Sequence, residues 1–508
     1  MNVPILQPMP AAVGTAITPD PDARRLWFVL ALPAVLAFLV FLVTVIGTAA
    51  AGPFLLVLVP LVLWASFRDT ERALCVYLAW CWLDGTIRGL FHSAPVSIVA
   101  RDLVLGLIVV GWGAQRLQNR HLDPIRVPPG TLLVALFAVN CLLQIFNPFA
   151  GGIVQSIGGL KLHLSAVPLL FLGYDVIRRP AQVRSLFLFL ALMTLIVGAA
   201  SYVQYTQGPN WTWAHFPGSQ DAIGSNLLKS HFGVDRGMAV QFKPPGTTSG
   251  GGGAGAYVGI IFPLAFVLPL LPGRLAFSKP ARAGLVALLL AFLVIVFVNQ
   301  VRSALVSAFC GVLLCGLLAG GKLRLRLLAA TAVCLVLGGI AFSFSQGVSQ
   351  GGVTDRFATT FADPVDALHK DRRTFFDDAV FIVTHSPTGV GMGRVGGAVG
   401  RLGDSGSDPG FAIFSEAYLG AVMYETGIIG GVLIVSLILS FIGRGFLALR
   451  RLADADDKLL ATAIIALLVI FFANFFVTPI LLGPPGSVLF WLLSGTLLRV
   501  FVGKRSAT

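Results

Sequence analysis

The sequence predicts an all-α integral membrane protein with about fourteen transmembrane helices. Three observations predict it. Hydrophobic residues make up 56% of the chain and charged residues only 12%, where a soluble protein carries about 25% charged residues. Apolar runs long enough to span a bilayer follow one another too closely to leave room for separate soluble domains. Lys and Arg concentrate in alternate connections, the pattern made by loops held on the cytoplasmic side.

Residues 1–25 are rich in Pro and Ala, lack a basic start and read as a disordered cytoplasmic tail. Arg24 and Arg25 then abut a run too long for a signal-peptide core, so no cleavage is expected. Residues 26–508 read as one transmembrane domain. Its expected spans are 26–48, 50–66, 73–91, 97–114, 130–146, 159–176, 185–205, 252–272, 283–300, 303–320, 327–345, 415–442, 459–478 and 486–502. With the N-terminus inside, the inner connections receive Arg68, Arg72, Arg116, Arg120, Arg126, Arg178, Arg179, Arg184, Arg274, Lys279, Arg282, Lys322, Arg324, Arg326, Arg444, Arg450, Arg451 and Lys458. Both termini are then cytoplasmic, and the basic excess is accounted for without a nucleic-acid partner. The six cysteines, Cys75, Cys81, Cys141, Cys310, Cys315 and Cys334, all fall in apolar runs and read as small filler.

Two long connections face outward: 206–250, and 346–414 between the eleventh and twelfth spans. Loops of this length cross regardless of charge, so Lys243, Arg372 and Arg373 within them do not violate the bias. Arg88, Arg101, Lys161 and Arg302 are different. They stand in or at the outer ends of apolar helices, where a cation is expensive and marks function. Asp84 and Arg88 are four apart and can neutralise each other on one helix. Arg101 and Asp102 are adjacent, about 100° apart around a helix, and cannot face one partner, which leaves Arg101 the freer cation. Lys161 and His163 open the sixth span, where a snorkelling lysine is an ordinary alternative. Arg302, in Asn299–Gln300–Val301–Arg302–Ser303, has no acid beside it; its planar fork suits a phosphate. Phe375, Phe376, Ala379, Val380 and Val383 recur at helical spacing, so an amphipathic helix on the membrane surface is expected, with Arg372 and Arg373 at its start. Gly316–Lys322 and Gly389–Gly393 imitate nucleotide-binding loops but lack the strand–helix setting.

Several of these pieces together resemble a family. Arg372 and the run Pro387–Thr388–Gly389–Val390–Gly391–Met392–Gly393 resemble the signature of the O-antigen ligase and Wzy-type polymerase superfamily, with Phe376 where Trp is common. Tyr418–Leu419 and Glu425–Thr426–Gly427–Ile428–Ile429–Gly430 resemble its downstream motif. Asn299–Ala304 and Lys243–Thr247 resemble its two earlier ones. The likeness covers residues 236–440. It implies a GT-C-like glycosyltransferase of the bacterial inner membrane that uses neither metal nor cofactor. Its donor would be an oligosaccharide on undecaprenyl diphosphate, its site periplasmic, and a polysaccharide chain-length regulator a candidate partner. Arg302 and Arg372 inherit the diphosphate-holding role, with Arg373, Arg101 and Lys243 beside them and Arg88, Lys161, Tyr418 and Glu425 supporting. Where ligases carry a catalytic His, this chain has Ser415–Glu416, so Glu416 becomes the candidate base and a repeat-unit polymerase is favoured over a ligase. A lipid-linked oligosaccharide flippase is the rival from another class, though flippases have short loops and two similar halves.

Overall fold

A computed structural model of the chain describes residues 21–46, 57, 59–62, 64–65, 68–90, 95–118, 126–215, 244, 246–248, 253–299, 301–348, 375–395, 417–478 and 480–503. It is all-helical, with no strand among the described residues. Five helical stretches there are long and apolar enough to cross a membrane: Ile153–Val176, Pro180–Gln207, Gly253–Leu270, Lys279–Asn299 and Tyr418–Leu449. Trp27–Val43, Thr131–Phe146, Ser303–Leu318 and Gly486–Val502 are apolar but shorter. Leu132, Val139, Leu143 and Phe146 stand exposed along one stretch, as suits a lipid-facing surface. The protein is therefore a membrane protein.

The elements that matter below are α1 (Pro21–Ile46), α2 (Thr70–Trp82), α3 (Asp84–Leu90), α4 (Pro95–Gln118), α5 (Thr131–Leu143), α6 (Ile153–Leu164) and α7 (Pro168–Val176). There follow α8 (Pro180–Gln207), α9 (Pro209–His215), α10 (Gly253–Val267), α11 (Lys279–Asn299), α12 (Arg302–Leu318), α13 (Gly321–Val348) and α14 (Phe375–His385). The chain closes with α15 (Tyr418–Leu449), α16 (Ala455–Asn474) and α17 (Gly486–Leu497). Helix α1 opens on Pro21, inside the stretch expected as a loose tail; a fixed φ and a missing N–H suit Pro to a helix start.

Two expected spans are interrupted. The stretch 73–91 breaks at Leu83, which ends α2 with non-helical angles, and 159–176 breaks before Pro168, between α6 and α7. Pro168 removes a backbone donor, which accounts for the second break. Helix α15 runs through Gly427 in a non-helical conformation (φ 73°, ψ −177°), so it is kinked there.

Small residues set the closest helix approaches. A Cβ on Gly495 of α17 would lie 2.1 Å from the Leu170 carbonyl of α7, and one on Gly259 of α10 would lie 2.7 Å from Ala304 Cα on α12. In lipid, where apolar burial drives little, such backbone approach is what holds helices together.

Polar contacts between distant segments gather in two groups. One joins Asp175 to Arg116, Trp112 and Arg178, Gln182 to Glu71 (2.8 Å), and the Asp456 carboxylate to the Gly273 and Leu275 amides (2.9 Å each). The other holds Asp84, Arg88, Arg101, Asp102, Lys161, His163 and Glu425 together with residues 244, 246–248 and 387–395.

Candidate functional site

The break at Leu83 creates the first part of the site. It frees the amides that open α3, and the Thr247 carbonyl accepts from Gly85 (3.0 Å) and Thr86 (3.2 Å). Thr247 Oγ1 in turn donates to the Trp82 carbonyl (2.8 Å). One residue thus satisfies both sides of the interruption, as irregular backbone at membrane depth requires. Asp84, at the start of α3, is 1% exposed and holds Arg88 at 2.8 Å, the pairing expected from their spacing.

Arg101 is not the freer cation. Its guanidinium lies 3.8 Å from Asp84 and 3.5 Å from Asp102, and Asp102 also holds Lys161 at 2.5 Å. Two approaches beyond the local helix geometry engage this pair: the break carries Asp84 across to α4, and α6 brings Lys161 to the other side. Arg88, Arg101 and Lys161 form one chain of ion pairs with Asp84 and Asp102 between them, and Lys161 has a specific partner, beyond interfacial snorkelling. Arg101 and Lys161 border a small cleft together with Tyr77, Ser165, Ser487 and the 482–484 turn.

The second part centres on Glu425, whose side chain is fully buried. Its Oε2 lies 2.7 Å from His163 Nε2, the imidazole N–H donating, and its Oε1 accepts from the Val395 amide at 2.8 Å. Tyr418 packs near the same imidazole, ring centroids 5.9 Å apart. The segment Pro387–Val395 lies across the kink of α15. The Val390 and Gly391 amides donate to the carbonyls of Tyr424 (2.9 Å) and Glu425 (3.2 Å), and the Ile428 amide returns a bond to Pro387 (3.0 Å). Side-chain amides fasten the other edge: Gln144 to the Thr388 carbonyl (2.7 Å), Asn147 to Gly389 (3.1 Å) and Gln155 to Gly393 (2.8 Å), while Asn140 donates to Thr426 (3.1 Å). The glycine spacing that imitates a nucleotide loop has this explanation. Gly393 has φ 84°, and a Cβ there would lie 2.2 Å from the Gln155 carbonyl oxygen.

A third junction joins two sequence motifs. Gln204 of α8 exchanges bonds with Gly246 (2.8 Å and 2.7 Å), and Ser201 donates to the Pro244 carbonyl at 3.3 Å. Ser201 also accepts from the buried Asn299 (2.9 Å), the residue that opens the Asn299–Ala304 motif. Arg302 starts α12 just after Val301, which has extended angles.

The expected site residues therefore fall into sets. Arg88, Arg101 and Lys161 come together; Tyr418 and Glu425 meet at His163. Lys161 and His163 share α6, which connects the two sets. Lys243, Arg372, Arg373 and Glu416 lie outside the described residues, as does the Arg302 side chain. His163, Asp102 and the amides Gln144, Asn147 and Gln155 were missed as participants. Their signal was present, since polar residues in or beside apolar helices need partners, but nothing local says which. Among the described residues, no three His, Cys, Asp or Glu side chains converge as metal ligands do. No family model and no curated protein matches the chain.

Proposed function

We propose that the chain is a polytopic glycosyltransferase of a bacterial inner membrane that joins oligosaccharide repeat units carried on undecaprenyl diphosphate. One observation carries this reading. The motif pieces that suggested it join distant segments in pairs: Pro244 and Asn299 are linked through Ser201, and 387–395 bonds directly to 424–428. The polar group that holds them also contains the chain Arg88–Asp84–Arg101–Asp102–Lys161. A chance likeness gives no reason for such pairing.

The sorting of polar contacts supports the fourteen-span alternation. Asp175 with Arg116, Gln182 with Glu71, and Asp456 with Gly273 join stretches assigned to the cytoplasmic side. Lys161 with Asp102, Thr388 with Gln144, and Gly246 with Gln204 join stretches assigned to the periplasmic side. Both termini are then cytoplasmic and the reaction periplasmic, in a GT-C-like arrangement.

In the transfer, an acceptor sugar hydroxyl attacks the donor's anomeric carbon with inversion. The new C–O bond forms as the bond to the diphosphate breaks, and the leaving diphosphate keeps the electron pair. Arg302 and Arg372, with Arg373 and Lys243, stabilise that charge; Glu416 takes the hydroxyl proton. Arg88 and Arg101, already held by Asp84, shape the field around the donor.

Purified full-length protein given undecaprenyl-diphosphate repeat units should lengthen them in the presence of a chelator. Arg302→Ala or Arg372→Ala should lower the rate by about a hundredfold or more. Lys at either position should restore only part, because a point charge cannot reproduce two-pronged phosphate contacts. Arg373→Ala should be milder, and Glu416→Gln should reduce turnover more than donor binding. A normal rate from Arg372→Ala at matched expression defeats the site assignment. A requirement for added divalent ions defeats the metal-free mechanism.

A further inference from the structure

A straight α15 would pair the carbonyls of Tyr424, Glu425 and Thr426 with the amides of Ile428, Ile429 and Gly430, one helical turn on. The kink at Gly427 breaks that register, and each of the three carbonyls takes a donor from elsewhere in the chain. Val390 supplies Tyr424 (2.9 Å), Gly391 supplies Glu425 (3.2 Å) and the Asn140 side chain supplies Thr426 (3.1 Å). The freed Ile428 amide donates to the Pro387 carbonyl (3.0 Å). The segment 387–391 thus stands in for a missing helical turn. It lies backbone against backbone: a Cβ on Gly389 would be 2.6 Å from the Glu425 carbonyl oxygen, and one on Gly427 would be 2.6 Å from the Thr388 carbonyl carbon.

We propose that this segment and α15 form a two-state exchange. In the state described here the segment is inserted and the helix is kinked. In the other the segment withdraws, the three carbonyls pair with Ile428, Ile429 and Gly430, and Tyr418–Leu449 becomes one continuous helix. Both states satisfy all three carbonyls. A kinked helix without the segment satisfies only that of Thr426, and backbone groups at membrane depth have no water to turn to. The change is therefore all-or-none, a bistable element and not a gradual bend. Gly427 is the hinge: φ 73° with ψ −177° is open in practice only to glycine, which can also take up the helical angles of the straight state. The part of α15 before the hinge carries Tyr418 and Glu425, so straightening re-aims it and breaks the bond from the Val395 amide to Glu425 (2.8 Å). In the glycan transfer proposed above, on which this last step rests, the exchange opens the site between turnovers. Arg372 and Arg373 precede the segment in the chain and Glu416 precedes α15, so withdrawal separates the stretches that carry the proposed diphosphate-holding groups and the proposed base.

The test is hydrogen–deuterium exchange, read by mass spectrometry on the full-length protein in nanodiscs. It follows two sets of amides: Val390 and Gly391 in the segment, and Ile428, Ile429 and Gly430 in α15. Gly427→Ala disfavours the kinked angles and suits a straight helix. Val390 and Gly391 should then exchange about tenfold faster or more, the shift expected from placing a non-glycine residue at such angles. The three amides in α15 should stay as protected as in the parent, because the helix closes behind the departing segment. Faster exchange in both sets means that the segment is a structural cap and nothing more, which overturns the proposal, as does unchanged exchange in both. Gln144→Ala combined with Asn147→Ala loosens the segment from its other edge without touching α15. It should give the same divergence between the two sets, and it decides the matter should Gly427→Ala not insert. The divergence without glycan transfer by the parent protein keeps the exchange and rejects the polymerase reading. Transfer by the parent, with both sets of amides exposed in the variants, does the reverse.

Discussion

Glu425 and His163 provide the sharpest test of how the site is held. Both side chains are sealed from solvent, and the carboxylate has two donors, His163 Nε2 at 2.7 Å and the Val395 amide at 2.8 Å. His163→Leu removes one donor and leaves a buried carboxylate on a single N–H. Removing one partner of a buried pair costs about 3–5 kcal/mol, because the other charge is stranded. Adding Glu425→Gln to that variant removes the stranded charge and still offers Val395 an oxygen. The second change should therefore recover about 2 kcal/mol or more. The assay is the apparent melting midpoint of the full chain in detergent at one heating rate, since unfolding of such a protein is not a simple equilibrium. His163→Leu should melt well below the parent, and the double variant should melt above His163→Leu. A double variant that melts lower still would refute the stranded-charge argument.

Two further outcomes are expected. Gly393→Ala should lower the melting midpoint by the equivalent of about 1–3 kcal/mol from its backbone angle alone, with the close approach to Gln155 adding to this, while Gly106→Ala, whose Cβ would meet nothing within 4 Å, should leave it unchanged or slightly raised. Reporter fusions after Arg126, Arg282 or Lys458 should read as cytoplasmic and those at Ser230 or Asp363 as periplasmic; a cytoplasmic signal from Asp363 would place the proposed chemistry in the wrong compartment.

The sequence reveals what depends on neighbours along the chain. Helices lie where the apolar runs are, and Asp84 meets Arg88 because four residues make little more than one helical turn. What stayed hidden depends on packing between distant segments. His163 and Glu425 are 262 residues apart, and Lys161 finds Asp102 only because α6 and α4 approach at their ends. The error over Arg101 has the same origin. Arg101 touches both its neighbour Asp102 and Asp84, and the second of these sits beyond a helix break, which hydropathy alone encodes poorly. The break at Leu83 is followed by Asp84–Gly85, a turn-forming dipeptide easily overlooked inside an apolar run, and Thr247 from a distant loop satisfies the opened amides.

The fastened segment 387–395 has a consequence for the arginines ahead of it. Helix α14 ends at His385, and Ile382 on it is buried against Val395, Ala421 and Tyr424. Val380 and Val383, part of the apolar stripe read from the sequence, stay exposed on its other side, where lipid would cover them. Arg372 and Arg373 precede this helix in the chain. Eleven helical residues span about 16 Å, so the start of α14 is held one short rigid rod away from the Glu425 knot. The polar groups that grip the loop, Gln144, Asn147, Gln155 and Glu425, supply no positive charge to a diphosphate. Their effect on transfer would be through the placement of that rod. Loosening the grip should therefore impair the rate without altering the charge that the arginines supply, whereas Arg372→Lys keeps the grip and changes only the contact.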